Sequence, residues 1–271
     1  MLTTFLITGV GGPAGSSLST QLQERGHTVV GVDMLEIAGA LQGPRADSPD
    51  LIPFLRTAIT EHDVDIFIPT VQDELPFVAA AAPLLPCTVV LSDPLAIGLA
   101  HDKWFTAQYC SDNGLAVPAT VTGSNEFTEF PHVIKPRVAR GGRGVVVIDR
   151  PEDDSSERND ALIRQSFASG DEYCPQLFIG RDGDVLCVNL RKTKLRDGRV
   201  GNADGVERAD HAGVETLAKQ VAQLFNLRGP VDMDIRLTNE GTPVLLEINA
   251  RFGANSALAP EILDALLAEV S

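Results

Sequence analysis

Two segments near the end of the chain carry acidic and amide side chains at alternate positions. Residues 229–253 read GPVDMDIRLTNEGTPVLLEINARFG and contain two β-type runs joined by a hairpin turn. Side chains two residues apart share one face of a strand, so Asp232 and Asp234 point the same way, as do Glu247 and Asn249. A turn centred between positions 240 and 241 predicts that Asp234 lies opposite Glu247 and that Asp232 lies opposite Asn249.

Three carboxylates and one amide oxygen on a single patch suit a divalent cation. Like charges directly opposed across a strand pair are destabilising unless water or a cation neutralises them. Mg²⁺ prefers hard oxygen ligands and typically completes its octahedral shell with substrate phosphates. Arg251 follows Asn249 by two residues, so we expect it on the same face, where it could bind a phosphate bidentately. A solvated hairpin face whose acids happen to align is the alternative.

The other face of this hairpin suits a hydrophobic core. Its side chains are Met233, Ile235, Leu246 and Ile248.

A cationic, glycine-rich segment forms a second candidate site. Residues 133–148 read VIKPRVARGGRGVVVI, in which Lys135 ends the first of two predicted strands. Glycines let backbone N–H groups approach phosphate oxygens closely, and the Lys135 ammonium could reach an α-phosphate as a point charge. The segment is not a Walker A loop, because G-x-x-x-x-G-K-[ST] is absent and the turn leads into a strand. An ordinary hairpin with a mobile tip is the alternative.

Composition narrows the classes of partner. The 271 residues suffice for one large domain or two ordinary ones, and apolar residues make up 44% of them. A formal net charge of −15 disfavours nucleic acid and anionic membranes, although it does not exclude a small anionic ligand. The four cysteines form no C-x-x-C pair, which fits reduced thiols in the cytoplasm. We expect neither a signal peptide nor a membrane-spanning segment.

The pattern of elements must bring these segments together. Residues 4–33 show a β-turn-α-β pattern around a glycine-rich turn, which opens a doubly wound parallel sheet. Further buried strands of this sheet are predicted at 64–69 and 88–91, with helices at 51–62 and 73–82. The pattern of predicted elements changes near residue 95. Beyond it we predict helices at 101–113, 213–226 and 259–270, strands at 131–135, 144–149, 162–168, 174–180, 185–190, 230–238 and 243–249, and a solvated loop or helix entry at 151–160.

The order of these features resembles the ATP-grasp superfamily, near its carbamoyl-phosphate-synthase-like and carboxylate–amine ligase branches. The matching residues are Asp102-Lys103, Lys135 with its glycine loop, Gly170-Asp171-Glu172, and Glu247-Ile248-Asn249-Ala250-Arg251. The resemblance covers essentially the whole chain. It implies an α/β protein with an N-terminal Rossmann-like parallel-sheet domain (1–95). An ATP-grasp fold of two α+β subdomains (96–271) would follow, with a lid at about 116–168.

The resemblance also implies a role for each matching residue. Nucleotide contacts would come from Lys103, Lys135, Arg140, Gly141, Gly142, Gly144, Gln165, Phe167, Ala168 and Glu172. Within that set, the lysines contact ATP phosphates, the glycine loop closes over the β- and γ-phosphates, the 165–168 backbone meets the adenine edge, and Glu172 holds the ribose hydroxyls. Asp234, Glu247 and Asn249 would coordinate one or two Mg²⁺ ions, or Mn²⁺ in their place. Arg251 would stabilise the transferring phosphoryl group.

The activity implied is that of a ligase. ATP would convert a small carboxylate to an acyl phosphate, which an amine or similar nucleophile then attacks, while the lid excludes water. A basic run follows the strand predicted at 185–190. It comprises Arg191, Lys192, Lys194, Arg196 and Arg199. We expect Arg191 to face the site and to hold the carboxylate or acyl phosphate, the alternative being a solvated hairpin with scattered cations.

Two departures from the family pattern keep other functions open. Gln165 stands where relatives often carry Glu, and the chain stops soon after the hairpin where many relatives continue. The second departure leaves room for a homodimer, for a partner subunit, or for a non-catalytic ATP-binding subunit.

An NAD(P)-dependent oxidoreductase is a further alternative. Gly9, Gly11 and Ala14 approximate G-x-G-x-x-G/A, with Asp33 at the place of a ribose-binding acid. That reading finds no Tyr-x-x-x-Lys pair and leaves the acidic hairpin unexplained.

Overall fold

The first of three sheets is built by the first third of the chain and is parallel throughout. The computed structural model describes residues 2–270, and its first sheet has the strand order β3-β2-β1-β4-β5. The strands are β1 (Thr4–Thr8), β2 (Thr28–Asp33), β3 (Leu41–Gln42), β4 (Ile66–Ile68) and β5 (Thr88–Val89). Between and around them lie α1 (Pro13–Glu24), α2 (Leu51–Glu61) and α3 (Leu75–Ala81). The predicted β-turn-α-β opening is confirmed.

Burial on both faces explains why β1 is continuously apolar. Phe5 and Ile7 pack in one cluster with Leu18 of α1, whereas Leu6 packs in a second cluster with Leu55 of α2. Alternate side chains of a strand face opposite sides of the sheet, so a parallel sheet covered by helices on both sides needs apolar residues at every position.

Asp102 interrupts the single helix predicted over residues 101–113. The structure has two helices here, α4 (Pro94–His101) and α5 (Lys103–Asp112). Asp102 is extended, and its carboxylate accepts hydrogen bonds from the backbone N–H groups of Trp104 (2.8 Å) and Phe105 (3.4 Å). An aspartate at this position satisfies N–H groups that a helix start would leave unpaired. The cap fixes Lys103 as the first residue of α5.

The second sheet is antiparallel and lies within the range predicted as the lid. Its order is β6-β9-β7-β8. The strands are β6 (Thr120–Thr122), β7 (His132–Pro136), β8 (Val146–Ile148) and β9 (Leu162–Ser166). Strand β6 was not predicted. It is short, pairs with β9 and also contacts α5.

The polar segment 151–160 is more than the solvated loop expected from its composition. It holds one short 3₁₀ turn, Pro151–Asp153, and no α-helix. Asp154 and Ser156 accept hydrogen bonds from the guanidinium of Arg164, whose side chain is almost completely buried. A buried guanidinium is tolerated only with such partners, so this segment folds back to supply them.

The third sheet is antiparallel and is organised around the long strand β15. Its strands are β10 (Glu172–Tyr173), β11 (Gln176–Ile179), β12 (Val185–Val188), β13 (Leu190–Leu195), β14 (Ala203–Arg208), β15 (Gly229–Leu237) and β16 (Pro243–Asn249). β15 pairs with β16 along one edge and with β10 and β11 along the other. β12 continues the sheet beyond β11, and β13 and β14 continue it beyond β10. The accompanying helices are α6 (Ala212–Leu224) and α7 (Pro260–Val270).

Two helices pack on this sheet, and one of them, α7, also connects it to the first sheet. Leu217 and Val221 of α6 pack against Met233 and Ile248 of the hairpin. The apolar face of α7, which includes Ile262, belongs to the cluster that also contains residues of β1 and β11. Among the helices described between residues 2 and 270, none is both long and apolar enough to cross a lipid bilayer.

A bulge in β16 changes which leucine faces the core. Asp232 pairs with Asn249 and Asp234 with Glu247, as predicted, but Ile235 then pairs with residue 245. The pairing register therefore shifts by one residue at the bulge. On the turn side of the bulge, paired residues are symmetric about residue 240 rather than about the point between 240 and 241. Leu245 is buried in the core, whereas Leu246 lines a cleft. The prediction that Leu246 packs into the core is wrong, because the bulge turns it to the charged face.

A buried carboxyl group sits at the carboxyl edge of the first sheet. Glu74 follows β4 and accepts hydrogen bonds from the Thr8 hydroxyl and, at 3.3 Å, from the Val71 N–H. Burial raises the pKa of Glu74 to about 7, although these hydrogen bonds and the charge of Arg140 oppose the rise. The folded protein therefore holds a proton here that the unfolded chain releases at lower pH.

Glu74 should make stability depend on pH. Because the pKa is higher in the folded state, the stabilisation is present below the unfolded value and is lost as pH rises through about 7. We expect the unfolding free energy of the wild type, relative to Glu74→Gln, to fall by about 2–3 kcal/mol between about pH 5 and pH 8. Urea unfolding of both proteins across this pH range measures the change. A difference in unfolding free energy that does not vary with pH would contradict the raised pKa of Glu74.

Candidate functional site

A cleft lies between the second sheet and the β15–β16 hairpin, with about 740 Å³ of open space. The structure brings nine of the predicted site residues to its lining: Lys103, Lys135, Gly142, Gln165, Phe167, Ala168, Glu172, Asp234 and Glu247. These residues come from the start of α5, from the second sheet and its adjoining loops, and from the third sheet. The remaining predicted residues, Arg140, Gly141, Gly144, Arg191, Asn249 and Arg251, lie outside this lining.

Two buried lysines converge on the hairpin from different parts of the chain. Lys103 Nζ donates to the carbonyl of Ala139 at 2.7 Å and lies 3.2 Å from a carboxylate oxygen of Glu247. Lys135 Nζ, at the end of β7, donates to the carbonyl of Leu246 at 3.3 Å. Burial lowers the pKa of Lys135 to about 8, against the opposing attraction of Glu247. An incoming anion would therefore meet two cations that are poorly solvated.

The paired carboxylates Asp234 and Glu247 have opposite electrostatic surroundings. Burial alone would raise the pKa of Glu247, but Lys103, Lys135 and Lys192 outweigh it and lower the pKa to about 2. Burial and the neighbouring carboxylates raise the pKa of Asp234 above its ordinary value, against the pull of Lys192. The three lysines therefore favour the ionised form of Glu247, which lines the cleft.

Two cations to which the sequence assigned no role in the site, Lys192 and Arg236, lie beside Glu172, the carboxylate predicted to hold the ribose. Lys192 Nζ donates to Glu172 at 2.6 Å and lies 2.7 Å from Asp234. Arg236 lies 3.3 Å from Glu172, and its guanidinium stacks on the ring of Phe167 at 4.7 Å. Arg236 follows Asp234 by two residues, so strand alternation could have placed it on this face.

Arg191 does not face the cleft, and the prediction for this residue is wrong about its placement. The guanidinium pairs with Glu207 on the neighbouring strand and lies 3.3 Å from Asp171. Its neighbour on β13, Lys192, reaches the cleft instead. Successive residues of a strand face opposite sides, and the side that faces the cleft depends on pairing between β10 and β13, which the local sequence does not reveal.

The glycine loop is folded against a second loop from the β13–β14 hairpin. Gly141, Gly142 and Gly144 have positive φ of 65°, 69° and 72°. A Cβ on Gly142 would lie 2.8 Å from the Cα of Gly201, so only glycine allows this approach. Arg140, by contrast, is turned away from the cleft lining and lies 3.0 Å from Asp73 of the N-terminal part.

The hairpin offers hard oxygen ligands that fit a divalent ion. The Asn249 amide nitrogen donates to Asp232 at 3.2 Å, which leaves the amide oxygen of Asn249 as an acceptor. Across the part of the chain that the structure describes, no three His, Cys, Asp or Glu side chains form a metal-holding group. Two carboxylates, the amide oxygen and ligand phosphates match the partial protein shell usual for Mg²⁺.

Arg251 lies beside the acidic hairpin formed by β15 and β16 rather than in the cleft lining. It lies 3.7 Å from Asp232 and donates to the carbonyl of Phe252 at 2.8 Å. Its Nε atom is buried and has no hydrogen-bond partner within residues 2–270. The Nε–H of this guanidinium is therefore a buried donor without a partner.

The N-terminal glycine turn does not offer an open dinucleotide site. The Gly11 N–H donates to the Asp33 carboxylate at 2.9 Å, and that carboxylate also accepts from the N–H of Leu35. A Cβ on Gly11 would lie 2.9 Å from the side chain of Ile37. The acid predicted to hold a ribose is therefore already engaged by backbone N–H groups of the chain itself.

Comparison with known proteins agrees with this geometry. The model of the ATP-grasp domain matches residues 100–255. The fold is shared with a βγ-ATP complex of biotin carboxylase from Campylobacter jejuni, at 15% identity and a TM-score of 0.78 over 100% of this chain and 71% of that one. It is also shared with N5-carboxyaminoimidazole synthetase from Staphylococcus aureus complexed with ADP, at 14% identity, a TM-score of 0.76 and coverage of 99% and 77%.

A third similar structure is L-amino acid ligase from Bacillus licheniformis. Its identity is 17% and its TM-score 0.74, with coverage of 94% of this chain and 68% of that one. No protein of curated function matches significantly in sequence. At these identities the three structures establish the fold and leave the substrate undetermined.

Gly142→Ala should weaken ATP binding about tenfold, because the methyl group strains a left-handed residue and separates the glycine loop from Gly201. Gly241→Ala is the matched control, since its φ is 81° but no atom lies within 4 Å of the added Cβ. Both variants should lose similar stability in thermal unfolding. Calorimetric titration with ATP and Mg²⁺ separates them, and equal ATP affinities would contradict this role of the loop.

Proposed function

Since the chain belongs to the ATP-grasp family, we propose that it uses ATP and Mg²⁺ to activate a small carboxylate as an acyl phosphate. An amine or a comparable nucleophile then attacks this intermediate, which makes the protein a ligase that forms a C–N bond. The observation that carries the proposal is the convergence of Lys103, Lys135 and Gly142 on the acidic hairpin residues Asp234 and Glu247 within one cleft.

The nucleotide would lie with its base between the two sheets and its phosphates toward the lysines. Val133 and Leu246 offer apolar walls for a base, and the backbone at residues 165–168 offers hydrogen-bonding groups for its edge. Glu172 would accept from the ribose hydroxyls. Lys103 and Lys135 would bind phosphate oxygens, and their burial strengthens that attraction because little water competes.

Asp234, Glu247 and Asn249 would hold Mg²⁺, or Mn²⁺ in its place. When bound, the ion offsets the charge that develops on the β- and γ-phosphate oxygens. Arg251, beside the same hairpin, would stabilise the transferring phosphoryl group. The glycine loop would close the cleft to water, because a free acyl phosphate hydrolyses before an amine can attack it.

In the reaction proposed, an oxygen of the substrate carboxylate attacks the γ-phosphorus while the bond to the ADP oxygen breaks. The nucleophile then adds at the acyl carbon, and inorganic phosphate leaves with one former carboxylate oxygen. Neither step needs a histidine from the chain. The name of one similar protein, an L-amino acid ligase, supports amino acids as the first substrates to test.

The net charge of −15 supports small-molecule substrates rather than nucleic acid or membrane lipids as partners. The four cysteines are free thiols, which supports a cytoplasmic location. A homodimer, or a partner subunit that completes the substrate side, stays a prediction.

The direct test is release of ADP in the presence of ATP, Mg²⁺ and amino acids, supplied singly and in pairs. We expect ADP release to depend on a carboxylate and to rise when an amine acceptor is added. ATP binding without any carboxylate-dependent release would instead indicate a non-catalytic ATP-binding subunit. NADH binding without an effect of ATP would favour an oxidoreductase.

Glu247→Gln should lower carboxylate-dependent ADP release at least about 100-fold, because it removes the anion that faces Lys103 and the metal. Glu240→Gln, in the exposed turn of the same hairpin, is the matched control and should keep wild-type turnover. Steady-state ADP release measures both, and equal rates for the two variants would refute the metal-site assignment.

Carboxylate labelled with ¹⁸O tests the intermediate. An acyl phosphate route transfers one labelled oxygen to the inorganic phosphate, which mass spectrometry detects. Unlabelled phosphate accompanying product formation would exclude an acyl phosphate.

A further inference from the structure

Lys192 occupies the centre of the acidic patch, and neither the proposed reaction nor the sequence pattern assigns it a role. Its Nζ lies 2.6 Å from Glu172 and 2.7 Å from Asp234, and its side chain is only 7% exposed. It therefore bridges the carboxylate proposed for the ribose and a carboxylate proposed for the metal. A divalent ion would compete for this position between the two anions.

The charges of the patch balance within the protein itself. Four carboxyl groups face one another here, those of Glu172, Asp232, Asp234 and Glu247. Four cations lie within 4 Å of them, namely Lys103, Lys192, Arg236 and Arg251. The formal sum over these eight groups is zero in a protein of net charge −15, and Lys135, whose charge also acts on Glu247, adds one further positive charge. The unliganded patch therefore offers little net attraction to a free divalent cation.

The cations differ in what can displace them. Lys103 lies beside the glycine loop, at the carbonyl of Ala139, where phosphates would arrive. Phosphate oxygens can draw Lys103 away from Glu247 and leave that carboxylate to a metal. The Lys192 ammonium contacts a carboxylate on each side, Glu172 and Asp234. Its strand, β13, is paired with β10 on one edge and with β14 on the other. A phosphate cannot remove Lys192 without leaving Asp234 without an ion-pair partner, whereas Glu172 would keep Arg236.

We infer that Lys192 is a positioning residue that stands as a built-in counterion between Glu172 and Asp234. It keeps free divalent cations out of the patch until a nucleotide arrives. The metal then enters together with the nucleotide, because the nucleotide supplies negative charge and displaces Lys103. This inference rests on the proposed nucleotide and metal site and deepens it. In this role Lys192 need not touch the reacting carboxylate or the transferring phosphoryl group.

The test measures the binding of Mn²⁺ to the full chain without nucleotide. Electron paramagnetic resonance monitors the free ion during the titration. We expect the wild type to bind Mn²⁺ no more tightly than a Kd of about 1 mM. Lys192→Met should bind one Mn²⁺ at least about tenfold more tightly, because a positive charge within contact distance of the carboxylates is gone. Lys192→Arg should restore exclusion, and Lys192→Met combined with Asp234→Asn should lose the gain.

Lys194→Met is the matched control, because Lys194 lies two residues away on the same strand and is exposed. It changes the net charge of the protein equally and should leave Mn²⁺ affinity unchanged. Equal Mn²⁺ affinities for wild type and Lys192→Met would overturn the inference, as would an equal gain in Lys194→Met.

A measurement on the wild type covers the case in which Lys192→Met fails to fold. Addition of ATP at saturating concentration should create a bound Mn²⁺ that is absent before it. Tight binding of Mn²⁺ at this cleft before ATP is added, with a Kd below about 0.1 mM, would overturn the inference. Carboxylate-dependent ADP release is measured on the same sample, so loss of the proposed function and loss of the counterion role are distinguished.

Discussion

Opposed carboxylates on a buried hairpin are the constraint on which the rest of the structure depends. Asp234 faces Glu247 and Asp232 faces Asn249 across β15 and β16, in surroundings where unpaired charges are costly. Each neighbouring part of the protein contributes a cation that offsets them. α5 supplies Lys103, β13 supplies Lys192, and β7 supplies Lys135. The cap of α5 at Asp102 and the pairing of β10 with β13 matter to the site because they place these cations.

Such a network adds little net stability, because the desolvation of buried ions cancels much of their attraction. The network instead holds charged groups in positions where a ligand can bind them. Lys135 is buried and has a pKa lowered to about 8, so an anionic ligand would hold it in its charged form. Glu247 is kept ionised by three lysines and can exchange one of them for a metal. The same contacts that close the unliganded cleft are those that a nucleotide and its metal would replace.

Local sequence predicted those features that depend on strand periodicity. The facing of Asp234 with Glu247 follows from the alternation of side chains, and Arg236 could have been placed by the same rule. Features set by pairing between distant strands were missed. The bulge that turns Leu246 into the cleft leaves no mark in composition, and the side of β13 that faces the cleft depends on its partner β10. Asp102 is a typical N-cap residue and could have predicted the break between α4 and α5. The continuous helical pattern of the surrounding residues predicted a single helix instead.

Diffraction from crystals grown with Mg²⁺ and a non-hydrolysable ATP analogue tests the central exchange of partners most directly. The account predicts that the Lys103 ammonium leaves Glu247 for a phosphate oxygen, so that its Nζ lies beyond about 4 Å from that carboxylate. A Glu247 oxygen should then lie about 2.0–2.1 Å from the metal, while Lys192 keeps its contacts with Glu172 and Asp234. An analogue bound elsewhere, or bound in this cleft with the Lys103–Glu247 pair intact and no metal on the hairpin, would contradict the account.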